Sequence, residues 1–338
     1  MNKKTTMSEI AMELGLSRLT VSSVVNGKAH ERGISVKTAE RIEQHLARRG
    51  YVRSRTALSL RDRKTKCVGI LHCGHLYSHL IEAFNGLVEH FADDAASLEI
   101  MVVPADKSVE GVKELISRGV TDLVWIYSAA EIREKELSEL LPYLSNIKTI
   151  IYNFRFGFSL LQKELVEAGC YLVGIDRLKG DKVLAGFLKR LGHTNIVLPD
   201  YREERPFVRA GIQIVTMPKT RHKQGASMRQ KGSVFAKQIY SLLSKRKITA
   251  ACFHDDEIAG YAMTDLIDMG IRIPENLTVT GFDGLPVCEA FAVPLTTLSV
   301  PVSRLVKRVI SIIHTHPDMH TYSCAPALIQ RRSHASIH

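Results

Sequence analysis

Hydrophobic and polar positions divide this chain into a short helical section and a long alternating one. In residues 6–14, Ile10, Ala11 and Leu14 make an apolar stripe behind a possible capping box of Thr6 and Glu9. Gly15 then predicts a turn. Ser17 is placed to cap a second helix whose Val21, Val24 and Val25 face inward, and Asn26-Gly27 supplies a left-handed stop. After the loop KAHERGI, Ser35 caps a third, amphipathic helix with Ala39, Ile42, Leu46 and Ala47 on its buried side, ending near Gly50. From residue 67 the pattern changes. Runs such as CVGILHC, LEIMVVPA, DLVWIY, KTIIYNF, CYLVGID, TNIVLPD, TAACFHD and LTVTGFDG read as buried strands, separated by helical patterns such as IEAFNGLVEHFADDA and GDKVLAGFLKRLG. The alternation predicts an α/β core of parallel sheets in two Rossmann-like lobes, with ligand sites beyond the carboxyl ends of the strands.

The expected organisation is a three-helix helix-turn-helix headpiece over residues 1–52, a linker over 53–66 and a core over 67–338. The linker, SRTALSLRDRKTK, is basic and poor in apolar residues. Its Ala57, Leu58 and Leu60 can form one or two helical turns, but only on a surface that stabilises them.

Two short helices joined by a tight turn suit the DNA major groove, which the second helix enters by its N-terminal residues. Arg18, Leu19, Thr20 and Ser23 are expected to face outward there. Arg18 can make a bidentate contact to guanine, and Leu19 offers apolar contact to a thymine methyl. Ser17, Thr20, Ser22, Asn26 and His30 are candidate phosphate ligands by position and donor chemistry. Charge agrees with this. Residues 1–66 hold fifteen Lys or Arg against six Asp or Glu, a net +9, so the whole-chain +11 leaves only +2 for residues 67–338. Basicity concentrated in this way is a footprint for polyphosphate.

Other function classes are less well supported. No long apolar run, signal sequence or lipidation motif is present, so a cytoplasmic protein without membrane contact is expected. The six cysteines are scattered without a CxxC pair, which predicts reduced, buried thiols. His72, His75 and His79 cluster without an accompanying acid or Cys at a metal-site spacing. No P-loop, GxSxG, HExxH or GxGxxG occurs, so neither cofactor nor catalysis is expected. The run HDDE at 254–257 leaves one enzymatic alternative, a metal-dependent reaction using Asp255 and Asp256. The basic stretch TRHKQGASMRQKG, residues 220–232, reads as a solvated loop rather than a second nucleic-acid contact.

The order of these elements, with TVSSVVNG, SVKTAERIEQHLARRGY and ALSLR, resembles the headpiece and hinge of the lactose repressor (LacI) family of bacterial transcription regulators. The stretches VGIDRLKGDKVLAGFLKRLGHTNIVL, ITAACFHDDEIAGYAMTDLIDMGIRIPENLTVTGFDGLP, PLTTLSVP and LIQRRS resemble the family's effector-binding core, itself similar to periplasmic sugar-binding proteins. The resemblance implies a homodimeric repressor on a near-palindromic double-stranded DNA operator, controlled by a small molecule, in all expectation a sugar or sugar derivative. It implies that Leu60 wedges into the minor groove while Ala57 lies where the paired hinge helices meet. Arg18, Leu19 and Ser23 match the family's base-reading positions, although many members resemble an arginine where Ser23 stands.

For the effector, the resemblance implies Asp283, Asp255 and Asn153 beyond strand ends, with Tyr77 and His79 after the first strand. Each aspartate also has a plainer reading. Asp255 or Asp256 can cap the helix beginning near Glu257, and Asp283-Gly284 can be a simple turn. The segment LPDYREERPFVRAGIQIV is shorter than usual and shows no clear helix where many members place an effector-gripping arginine; Arg205 and Arg209 are the substitutes at hand. A regulator that binds DNA without any ligand is therefore the second reading.

Overall fold

A computed structural model of the chain describes residues 7–48, 66–74, 76–93, 97–126, 134–156, 159–199, 203–218, 226–245 and 247–337. They belong to two compact units, residues 1–65 and 66–338.

In the first unit, α1 (Met7–Leu14), α2 (Arg18–Val25) and α3 (Val36–Arg48) enclose a small core of Ile10, Ala11, Leu14, Val21, Val24 and Ile42. The turn between α1 and α2 passes through Gly15 at φ +65°. Ser17 caps α2 by accepting the Thr20 N–H at 3.0 Å, and Ser35 accepts the Thr38 N–H at 3.2 Å before α3. Two long-range bonds tie α3 to α1. Arg41 donates to the Leu14 carbonyl at 2.6 Å, and His45 Nε2 lies 2.6 Å from Glu13 Oε2. Thr6, and the linker with Ala57 and Leu60, lie outside the described residues.

The second unit holds two six-stranded sheets. The first contains β1 (Cys67–Cys73), β2 (Ser97–Val103), β3 (Asp122–Ile126), β4 (Lys148–Arg155), β5 (Tyr171–Ile175) and β11 (Thr321–Cys324), in the order β11-β5-β4-β3-β1-β2. All its pairings are parallel. The second contains β6 (Asn195–Val197), β7 (Gln213–Ile214), β8 (Ala250–Cys252), β9 (Thr278–Asp283), β10 (Thr296–Ser299) and β12 (Ala327–Ile329), in the order β12-β10-β9-β8-β6-β7. Only β12 runs antiparallel to its neighbour. Strands β1, β3, β5, β8 and β9 are buried along their whole length, as expected where helices cover both faces of a parallel sheet.

The helices of this unit are α4 (Ser78–Asp93), α5 (Ser108–Ser117), α6 (Glu134–Leu144), α7 (Ser159–Glu167), α8 (Arg177–Arg190), α9 (Arg205–Arg209), α10 (Met228–Ser244), α11 (Asp256–Asp268) and α12 (Val302–Thr315). The chain passes between lobes three times, after β5, after β10 and after β11. One apolar cluster bridges both sheets there, running from Val68, Ile70 and Val173 through α8 and α12 to Ala250, Phe282 and Leu298. Among the described residues no helix is long and apolar enough to cross a membrane.

One expectation is corrected here. The segment read as lacking a clear helix contains α9, a short helix with Pro206 near its start and Phe207 fully buried. Proline presets the first turn and the single phenylalanine anchors it, so a helix too short to show periodicity still forms.

Candidate functional site

In the first unit the N-terminal turn of α2 presents a polar and cationic surface. Ser17, Arg18, Leu19 and His30 are exposed, and Thr20, Ser22 and Asn26 are half-buried. Ser17 Oγ and Thr20 Oγ1 share a hydrogen bond of 2.8 Å, while Asn26 Nδ2 donates to the Ser22 carbonyl at 2.6 Å and to its hydroxyl at 3.1 Å. These contacts fix the side chains within each pair. Leu19 is 64% exposed although apolar.

Ser23 does not share this surface. It is buried, and its hydroxyl donates to the Leu19 carbonyl one turn earlier at 2.8 Å. A serine whose only donor is satisfied by its own helix can enter an apolar interior at little cost. The outward placement expected for Ser23 is therefore corrected.

In the second unit the carboxyl ends of β8 and β9 converge. Asp283 closes β9 with φ 115°, a left-handed conformation uncommon for any residue but glycine, and it is almost wholly buried. Gly284 follows at φ +77°, where an added Cβ would collide with Ser299. The turn is held by Asp256. Its Oδ2 accepts the N–H groups of Gly284 at 2.7 Å and Leu285 at 2.9 Å, and its Oδ1 accepts the Thr297 hydroxyl at 2.6 Å. Asp255 rather than Asp256 caps α11, accepting the Ile258 N–H at 2.9 Å. Both Asp256 oxygens thus accept protein donors. Among the described residues no three His, Cys, Asp or Glu side chains are grouped to hold a metal ion.

Electrostatically these carboxylates form one system. Burial pushes Asp283 well above the usual carboxylate range, the Arg177 guanidinium opposes that rise, and Asp255, Asp256 and Glu257 reinforce it. Burial likewise raises Asp255. Arg177 lies in the first turn of α8, just after the chain leaves β5, with its guanidinium 4.2 Å over the Phe282 ring. Stacking on Phe282 fixes the plane of the guanidinium beside Asp283.

In the first lobe Asn153 sits at the carboxyl end of β4 with φ +65°, where the register against β5 shifts between Tyr152 and Phe154. Strain of this kind at a strand end is a mark of binding sites. Tyr77 is half-buried against the bridging apolar cluster. The backbone of His79 lies in α4, and its side chain is outside the described residues. Arg205 is bound to Glu203 by two bonds of 2.8 and 2.9 Å on the exposed surface, so its guanidinium is already engaged.

Residues 185–334 match the periplasmic binding protein-like domain family. Over 326 residues the chain is 24% identical to the HTH-type transcriptional repressor PurR of Vibrio atlanticus, covering 91% of this chain and 90% of the relative. It is also 24% identical over 354 residues to the ribose operon repressor of Haemophilus influenzae, covering 98% and 99%. The crystal structure of the lac repressor dimer bound to operator and the anti-inducer ONPF superposes with a TM-score of 0.70 at 19% identity, covering 99% of this chain and 100% of that one. Over nearly its whole length the chain is thus similar to transcriptional repressors, and its fold is that of the lac repressor.

In this chain the arginine beside Asp283 comes from the crossover after β5. Arg177 was missed by sequence reasoning because its neighbours Phe282 and Asp283 lie more than a hundred positions further along the chain. The one usable signal was its place directly after the strand CYLVGID, where ligand residues of open α/β sheets are sought. Of the stretch 220–232, expected as a loop, residues 220–225 lie outside the described residues, whereas residues 228–232 form the first turn of α10, where Ser227 with Gln230 makes a capping box.

Proposed function

We propose that this protein is a sequence-specific, DNA-binding transcriptional repressor that acts as a homodimer under the control of a small hydroxyl-rich effector. The observation that carries the DNA half is the exposed Arg18–Leu19 pair on the first turn of α2, flanked by Ser17, Thr20, Ser22, Asn26 and His30. A guanidinium and an apolar side chain read base edges while hydroxyl and amide donors position the backbone. Leu60 and Ala57 belong to this reading as hinge residues.

Two headpieces are required to read the halves of a near-palindromic site. A surface suited to pairing exists on the first lobe. There the edge strand β2 exposes Ile100 and Val102, and Ile81 is exposed on α4, which packs beside β2. Contiguous exposed apolar residues at a sheet edge favour a partner chain.

The effector reading rests on Asp283, Asp255, Asn153 and Arg177, together with Tyr77 and His79, which follow β1 in the chain. Carboxylates and a guanidinium side by side accept from and donate to neighbouring hydroxyls, which suits a sugar or sugar derivative. An effector changes DNA affinity only to the extent that it binds two lobe arrangements unequally. Ribose is the first compound to try, since the Haemophilus influenzae relative is named for a ribose operon.

Selection of genomic fragments by the purified protein at near-physiological salt, with and without a pooled metabolite extract, tests the proposal. Recovery of a short palindrome whose enrichment changes with the extract is expected. No enriched motif under either condition would end the repressor reading. A palindrome indifferent to every extract fraction would leave a DNA-binding protein without ligand control.

A further inference from the structure

Ser78 opens α4 in the first lobe, and Glu257 lies in the first turn of α11 in the second. The Ser78 hydroxyl donates to Glu257 Oε2 at 2.7 Å, joining positions 179 residues apart. Each follows the carboxyl end of a strand, Ser78 after β1 and Glu257 after β8, so the bond crosses the cleft between lobes.

Its position gives it leverage. The crossovers leave from β5, β10 and β11, whereas β1 is three strands from β5 and β8 is two strands from β10. At about 4.8 Å per strand, the bond stands some ~10–14 Å from the crossovers, where opening motion is larger. Its chemistry also favours persistence. The Glu257 carboxylate lies at the N-terminal ends of two helices, one from each lobe, whose dipoles favour negative charge. A hydroxyl donating to a carboxylate at 2.7 Å is among the stronger neutral-to-charged bonds, and both residues are half-buried, which limits competition from water.

We propose that Ser78 and Glu257 form a latch that holds the lobes closed over the cleft before any effector binds. The ligand-free protein then populates the closed arrangement, and a molecule entering the cleft must break this bond or replace it. The proposal does not depend on what the cleft receives.

Distances between spin labels on the two lobes test it in the full chain. All six native cysteines are buried, so Lys113→Cys on α5 and Lys237→Cys on α10, both exposed positions, can be labelled selectively. Labelled protein is diluted with unlabelled protein so that one doubly labelled chain is read at a time. The parent is expected to give one short distance. Ser78→Ala and Glu257→Leu are each expected to add a longer one, raising the open fraction about tenfold or more, as loss of a hydrogen bond to a charged group implies. Glu257→Gln keeps an acceptor and is expected to stay near the parent. Distance distributions unchanged in both Ser78→Ala and Glu257→Leu, or a parent that is already open, would overturn the latch.

Discussion

The carboxylate of Asp256 accepts the backbone N–H of Gly284 at 2.7 Å, and that bond holds the turn that follows Asp283 at the carboxyl end of β9. Removing it by Asp256→Ala leaves two partly buried N–H groups and the buried Thr297 hydroxyl without their acceptor. Each orphaned group costs about 1 to 3 kcal/mol, so a loss of about 3 kcal/mol or more is expected in urea unfolding at neutral pH. A loss under about 1 kcal/mol would show that the turn is held by other means.

The same residue gives stability a pH dependence. Burial raises the Asp256 pKa from 3.8 to about 6. The native state therefore binds more protons than the unfolded chain between about pH 4 and 6, and this group's contribution falls as pH rises through that window. The full effect at pH 7 is about 3 kcal/mol, from roughly two pKa units at 1.36 kcal/mol each. Asp256→Asn cannot ionise and can still accept from Gly284. Thermal midpoints of parent and variant are expected to diverge in the variant's favour from pH 4 to pH 7, and parallel curves would contradict the cause.

Arg18→Ala is expected to cost about 1 to 3 kcal/mol at one base pair of each half-site and to relax selectivity there. Anisotropy titrations against single-base operator variants measure this. An equal loss on every sequence would reassign Arg18 to the phosphates.

Ser23 separates packing from reading. Ser23→Ala removes one internal hydrogen bond and is expected to cost about 1 kcal/mol of headpiece stability with base preference unchanged. Ser23→Arg loses the same bond and puts a long cation at a buried position one turn after Leu19, so a loss of headpiece stability is expected unless the guanidinium reaches solvent past Leu19. A stable Ser23→Arg variant with altered base preference would show that α2 can rotate.

Much of this fold is legible from residue order. Ser17 and Ser35 announce their helices because a cap acts within three residues, and β1, β3 and β5 announce themselves because each is a mostly apolar run. Where the sequence is ambiguous, the deciding contact is distant. Adjacent Asp255 and Asp256 are equivalent as caps until Gly284, Leu285 and Thr297 claim the second, from 28 to 41 residues away. Arg177 is an ordinary helix-start cation until Phe282 lies under it. Ser23 looks like a surface serine because hydroxyls usually are, and only the Leu19 carbonyl reveals otherwise. The strand β11, TYSC, is too short and too polar to stand out from the loops beside it.

The placement of that strand bears on how the protein is made. β11 pairs with β5 in the first lobe, and α12 packs against α4, β4 and β5 of the same lobe, yet both are encoded after residue 300. A nascent chain on the ribosome thus carries the first lobe with one sheet edge unpaired and part of its apolar face uncovered until nearly the whole polypeptide has emerged. The lobe synthesised first is in this sense the last to be finished, and its interval of exposure lasts as long as translation of the second.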